Sequence, residues 1–347
     1  MNTKRALSWA IAGGIVGASA LNAIQRRREI SLEGKSVVIT GGSRGLGLIL
    51  AREMADQGAR IAILARDEDE LRIAREDIAS RGAEIVSIPC DLRNQDDAMF
   101  TIETAARELG SIDVLINNAG VIQSGPIEHM KIADFEDAMK IHFWAPLYTI
   151  LAALPHMRAQ GGGRIVNISS IGGKIAVPHL VPYAASKFAL TGLSNGLQAE
   201  LAKDKIYVTT VYPGLMRTGS TIQAGFKGRH QVEYAWFALL DSLPLVSISA
   251  KRAARKIVDA CKKGKPQLTI TPQAKMAIIF DALLPDTFSE VMMLTAEMLP
   301  GPTSAEGDEL WSGEKSKSDI LPGFLTALSE KAATKNNERV RMQIDTE

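Results

Sequence analysis

Tyr183 and Lys187 stand four residues apart in "VPYAASKFAL". On a helix that spacing places both side chains on one face, one turn apart. An ammonium beside a phenol stabilises phenolate, so the pair predicts a tyrosine that releases its proton more readily than a free phenol of pKa about 10. Such a group serves as a general acid toward an alkoxide and as a base toward an alcohol. Ser170 lies thirteen residues before Tyr183, at the end of "RIVNISS", where its hydroxyl can hold a substrate oxygen.

A second chemical signal is "TGGSRGLG", Thr40 to Gly47. Glycines at 41, 45 and 47 permit a tight strand-to-helix turn and let a pyrophosphate approach backbone N–H groups, with Ser43 and Leu46 in the same loop. The next apolar run ends "ILARDEDEL". It puts Arg66 where an NAD enzyme offers a carboxylate to the ribose 2′-hydroxyl, and a cation there suits the 2′-phosphate of NADP. Arg44 closes from the glycine loop, so NADP(H) is expected over NAD. Asp67 argues the other way, one residue late, and Arg66 as the start of a solvated helix face is the plainer alternative.

The elements that must carry these residues are legible as β-branched runs alternating with longer helical patterns. "SVVIT", "RIAIL", "EIVSI", "IDVLI", "RIVNI" and "IYVTTVY" read as buried strands, each followed by enough chain for a crossover helix. The predicted fold class is α/β: a doubly wound parallel sheet of Rossmann type with a helical C-terminal extension. The expected organisation is an N-terminal hydrophobic segment (1–30), a catalytic domain (34–270), a helical extension (271–300) and a polar, partly mobile tail (301–347) with a short helix at 322–334. Within the extension, 273–299 reads as one helix, by default packed into the core and otherwise apolar enough for a partner or membrane contact.

Together these residues resemble the short-chain dehydrogenase/reductase family over roughly 34–270. The motifs are Thr40-Gly-x-x-x-Gly-x-Gly47, Cys90-Asp91-Leu92, Asn117-Asn118-Ala119-Gly120, Ser170, Tyr183-x-x-x-Lys187 and Pro213-Gly214 with Thr218. The resemblance implies that Ser170, Tyr183 and Lys187 are catalytic and that Lys187 also bonds the nicotinamide ribose. It implies that Asp91 contacts the adenine amine, that Asn117 to Gly120 support the central strand and line the cofactor, and that Thr218 holds the carboxamide. Leu92, Pro213 and Gly214 complete the expected cofactor contacts. The glycine spacing looks like that of the single-domain oxidoreductases rather than the sugar-nucleotide epimerases. One departure stands out: in "FEDAMKIHFWAP" the family usually has Asn where this chain has His142. His142 either packs in its helix or holds a relay water, and the relay reading predicts an acid limb below about pH 6.5 that changes in His142→Asn.

Composition limits the partners. Lys plus Arg (40) balances Asp plus Glu (39), so no overall field draws the chain to nucleic acid, and a small-molecule substrate and a homo-oligomer are expected. Cys90 and Cys261 form no disulfide or zinc pattern; no metal is expected, and the setting is reducing cytoplasm. Residues 6–24 carry no charge and as a helix would reach about 28 Å. Three readings stand: a membrane anchor helped by Gly13-x-x-x-Gly17, a signal peptide ending at Ala18-Ser19-Ala20, or a helix packed on protein. Phe226, Tyr234, Trp236 and Phe237 either wall an apolar substrate site or pack a lid onto the core. The expected function is carbonyl–alcohol interconversion with NADP(H); the rival is an idle, membrane-tethered nucleotide sensor or scaffold.

Overall fold

A computed structural model of the chain describes residues 23–243, 247–318, 320 and 323–339. Seven parallel strands form one sheet: β1 (Ser36–Thr40), β2 (Arg60–Ala65), β3 (Ile85–Pro89), β4 (Val114–Asn117), β5 (Gly163–Ile168), β6 (Ile206–Tyr212) and β7 (Gln267–Thr269), in the order β7-β6-β5-β4-β1-β2-β3. The first six are the runs read from the sequence. β7 was not among them, because one exposed and two half-buried residues at a sheet edge carry no apolar pattern.

Alternation along each strand divides the core in two. Val37, Ile39, Ile61, Ile63, Val114 and Ile116 face α1 (Gly45–Ala55), α2 (Glu68–Ala79) and a later helix, Ala250–Lys262. Val38, Ala62, Leu64 and Leu115 face α3 (Gln95–Leu109) and α5 (Ala145–Ala159), the latter preceded by α4 (Ile132–Met139). Burial on both faces is why these strands read as continuous apolar runs. The chain winds outward from β1 to β3, then crosses back to β4 on the other side of β1. The carboxyl ends of β1 and β4 therefore part around a crevice, the usual ligand position in such sheets. α6 (Val181–Glu200) brings Tyr183 and Lys187 to the same edge.

Two expectations change. The single helix at 273–299 is two, Pro272–Leu283 and Pro285–Glu297, because Pro285 has no N–H to continue a helix and disfavours helical backbone at Leu284. Core packing is not its role: Met276, Leu283 and Leu294 are 70%, 72% and 61% exposed, and the pair meets itself through Phe280 and Phe288, centroids 5.7 Å apart. The lid aromatics mostly pack, with Phe226 and Tyr234 buried against each other and Phe237 beside them.

The described part of 301–347 lies against the domain. Trp311–Ser312 pairs antiparallel with Gly225–Phe226. A helix at Gly323–Lys335, close to the expected 322–334, packs on α7 (His230–Ser242), where Ser329 donates to Asp241 at 3.0 Å. No helix among the described residues is long and apolar enough to cross a membrane, and most of the 6–24 segment lies outside those residues.

Candidate active site

Every residue expected at the site lines one cleft of about 490 Å3, except Asn117 and Gly47, which do not reach its surface. Gly47 has a separate reason to be glycine: a Cβ there would collide with the Gly41 carbonyl and lie 2.6 Å from Asn118 Nδ2. That amide nitrogen donates to the carbonyls of Thr40 (3.1 Å) and Gly41 (3.0 Å). In return the Thr40 hydroxyl accepts from the backbone N–H groups of Asn118 (2.9 Å) and Ala119 (3.1 Å). Thr40 thus ties the end of β1 to the Asn118–Gly120 turn, a role its sequence position did not reveal. Below the turn, Thr149 donates to Asn117, Asn117 to Asn167 and Asn167 to Ser194, a fully buried chain that holds β4, β5 and α6 in register.

Arg44 occupies the N-cap of α1 in extended conformation and its side chain makes no cap hydrogen bond, so no side chain competes for the first-turn N–H groups. Together with the glycines, a first turn free of its own N-cap side chain fits a cofactor diphosphate. Arg66 lines the cleft without a hydrogen-bond partner among the described residues. Asp67 is committed elsewhere: its carboxylate accepts from Glu70 N at 2.9 Å and caps α2. Arg44 is more occupied than the sequence suggests. Buried Glu70 accepts from Arg44 Nη1 at 2.6 Å and from the Ser43 hydroxyl at 2.8 Å. Nothing in the sequence marks Glu70, because "RDEDEL" reads as a solvated helix start.

Ser170, Tyr183 and Lys187 converge opposite that loop. Ser170 Oγ accepts from Gly172 N at 3.0 Å, and Lys187 Nζ donates to the Ile168 carbonyl at 2.9 Å, 5.6 Å from the Tyr183 ring centre. Burial works against the acidification expected from the Tyr–Lys spacing. Burial pushes the Tyr183 phenol up, a hydrogen bond with Ser170 pulls it partly back, and burial brings the Lys187 ammonium down to about 7. The reason is that both groups sit in the same desolvated pocket, which disfavours each charged form.

His142 lies in a turn of π-helix, Lys140–Trp144, between α4 and α5. Such turns interrupt regular helices most often at functional positions. His142 is 1% exposed, and its ring meets Tyr183 edge-on with centroids 5.3 Å apart. Nε2 accepts from Val121 N at 3.2 Å, which assigns the proton to Nδ1 and its donation to Ser186 Oγ at 2.8 Å. Ser186 in turn donates to the Tyr183 carbonyl at 2.8 Å. The relay expected from the sequence needs a ring nitrogen free for water, and neither is free. Burial, with Lys187 and Arg93 adding like charge, holds His142 well below the usual imidazole range.

His142→Asn should therefore give a kcat–pH profile that superimposes on wild type above about pH 6. Stability should separate the two proteins. An unfolded histidine takes a proton below about pH 6.5 while the folded one does not, so wild type loses stability as pH falls through that window. Thermal melts at two pH values check this; an acid limb in kcat that vanishes in the variant would restore the relay.

The cleft's other wall carries Ile122, Leu215, Met216 and Phe237. Of the four lid aromatics, only Phe237 reaches it.

Comparison with known proteins fits this geometry. Residues 35–226 match the short chain dehydrogenase family model. An uncharacterized oxidoreductase of Mycobacterium bovis is 30% identical over 83% of this chain and 82% of its own length. A fatty acyl-CoA reductase of Acinetobacter baylyi is 31% identical over 80% of this chain and 90% of its own. The crystal structure of L-sorbose reductase from Gluconobacter frateurii, complexed with NADPH and L-sorbose, superposes with a TM-score of 0.63 at 26% identity, over 70% of this chain and 97% of that one. The chain belongs to the short-chain dehydrogenase/reductase family and is an oxidoreductase of the nicotinamide-dependent kind.

Proposed function

We propose that the protein interconverts an apolar carbonyl compound and its secondary alcohol with NADP(H), and that the cleft is set for reduction. The observation that carries this is the convergence of Ser170, Tyr183 and Lys187 in one cleft with the glycine loop; burial pushes the Tyr183 phenol up, which favours the protonated form a general acid needs. The bound cofactor would supply the hydride to the carbonyl carbon. Ser170 Oγ donates to the carbonyl oxygen and orients it. Tyr183 Oη gives its proton to that oxygen as negative charge develops there. Lys187, fixed by the Ile168 carbonyl and poised near pKa 7, stabilises the phenolate left behind and can return a proton to it. His142 positions this machinery, bridging Val121 to the first turn of α6 through Ser186.

Arg66 supports NADP over NAD, since it makes no hydrogen bond among the described residues while Asp67 is spent on a helix cap. The NADPH bound in the Gluconobacter enzyme agrees. An apolar substrate is supported by the Ile122, Leu215, Met216 and Phe237 wall and by the acyl-chain chemistry named for the Acinetobacter relative.

The test is direct titration. NADPH should bind more than tenfold tighter than NADH, and Arg66→Ala should shrink that ratio, because a charge-assisted contact contributes about 1.5–3 kcal/mol. Equal dissociation constants for the two cofactors in wild type would overturn the assignment.

A further inference from the structure

The residues after the C-terminal helix Gly323–Lys335 run onto the glycine loop. Asn336, Asn337 and Glu338 are all buried, at 5%, 8% and 2% exposure. The Asn336 carbonyl accepts the Gly45 N–H at 2.9 Å, taking a donor from the first turn of α1. Asn336 Nδ2 donates to the Thr218 carbonyl at 2.9 Å, at the opposite lip of the cleft. Asn337 Nδ2 donates to the carbonyls of Ser43 (3.0 Å) and Glu70 (3.1 Å). The Glu338 carbonyl accepts from Gln223 at 2.6 Å, and its side chain lines the cleft itself.

The Glu338 carboxylate is the telling group. One oxygen lies 2.6 Å from where a Cβ on Gly45 would be, so it fills the space that the glycine keeps open. The other faces Arg44 Nε at 3.4 Å and has no hydrogen bond. Polar tails do not bury a carboxylate at a glycine-rich helix start without a reason. Here a negative group and a carbonyl oxygen stand where the same loop would hold phosphate oxygens.

Resting on the reading of this cleft as a dinucleotide site, we propose that residues 336–338 form an autoinhibitory strap that competes with the cofactor's phosphates and must leave before the cofactor binds. One N–H cannot serve both the Asn336 carbonyl and a phosphate oxygen, and two anions beside Arg44 repel. The strap is also built to be displaced. A buried carboxylate oxygen without a hydrogen bond is costly, and burial pushes Glu338 up to about 7, with Glu70 opposing and Arg44 favouring its charge. Hydrogen bonds rather than apolar packing hold the segment down: the three side-chain amide bonds, the Gln223 bond to the Glu338 carbonyl, and Arg52, which reaches the Asn336 side chain and the Lys335 carbonyl.

Two full-length variants loosen the strap without altering the loop. Asn337→Ala removes both amide bonds and places alanine at φ +60°, and Glu338→Ala removes the carboxylate. NADPH dissociation constants, read from nicotinamide fluorescence, should fall at least tenfold in each, about 1.4 kcal/mol. Hydrogen exchange on wild type gives a second readout: adding NADPH should speed exchange across 326–339. Unchanged or weaker NADPH binding in the variants, or slower exchange in that segment, would overturn the strap and make it a lid over bound cofactor or a structural tie. Absence of NADPH and NADH binding in all three proteins would contradict the cofactor reading itself, and the strap with it.

Discussion

Tyr183→Phe should lower kcat by at least a hundredfold while NADPH binds within about twofold of wild type, because general-acid catalysis commonly contributes 10²–10⁴. The variant loses one hydroxyl and keeps the ring, so the edge-on contact with His142 and the packing of α6 persist. What disappears is the proton that must reach the substrate oxygen as the carbonyl carbon accepts hydride. Water entering the space can supply a proton only from bulk pKa values, and Ser170 can orient the oxygen without neutralising it. Steady-state rates together with NADPH titration separate the two effects. A variant retaining more than about a tenth of wild-type kcat would have lost under 1.4 kcal/mol, too little for the acid of the reaction.

Gly47→Ala should damage fold and cofactor binding together. The new methyl meets the Gly41 carbonyl and Asn118 Nδ2, both backbone-fixed or held by the Thr40–Asn118 bonds, so neither can swing aside like the end of a flexible side chain. Overpacking of this kind costs about 1–3 kcal/mol, and a collision with backbone belongs at the upper end. For a domain of this size that lowers the melting temperature by several degrees, at about 2–4 °C per kcal/mol. The loop relaxes by opening at Gly41 and Asn118, which moves the turn that would cradle phosphate, so NADPH affinity should fall more than thirtyfold. Melting curves and the same titration check this; wild-type values in both would show that the loop is looser than its contacts.

Five strands were legible because each is buried on both faces and therefore written in Val, Ile and Leu, and the half-buried edge strand β3 showed itself through Ile85, Val86 and Ile88. β7 pairs along only one edge and needs no such pattern. The break at Pro285 was visible as a residue but outweighed by the apolar periodicity around it, and the exposure of that helix pair could not follow from periodicity alone. At the site, Ser170, Tyr183, Lys187 and the glycines carried their spacing openly. The tyrosine's environment did not, since depth in a cleft is a tertiary property, and the burial it brings opposes the effect of a Lys one turn away. His142 was noticed as a departure, but its meaning depended on Val121 and Ser186, brought to it by a π-turn that leaves no mark on the pattern. The least legible residues were Glu70 and the segment 336–338. Both are polar, both sit in stretches that read as solvated, and both are buried because the other end of the chain covers them.

The central claim is hydride transfer between NADP(H) and an apolar carbonyl or alcohol. Its most direct test is the fall in absorbance of reduced nicotinamide when the full-length protein, and separately its Glu338→Ala form, meet NADPH and a panel of medium- and long-chain ketones and aldehydes. The expected result is carbonyl-dependent oxidation of NADPH, faster at limiting cofactor in Glu338→Ala and absent in Tyr183→Phe. Tight NADPH binding with no turnover of any carbonyl, in wild type and in Glu338→Ala alike, would contradict it and leave a nucleotide-binding protein that does no redox chemistry.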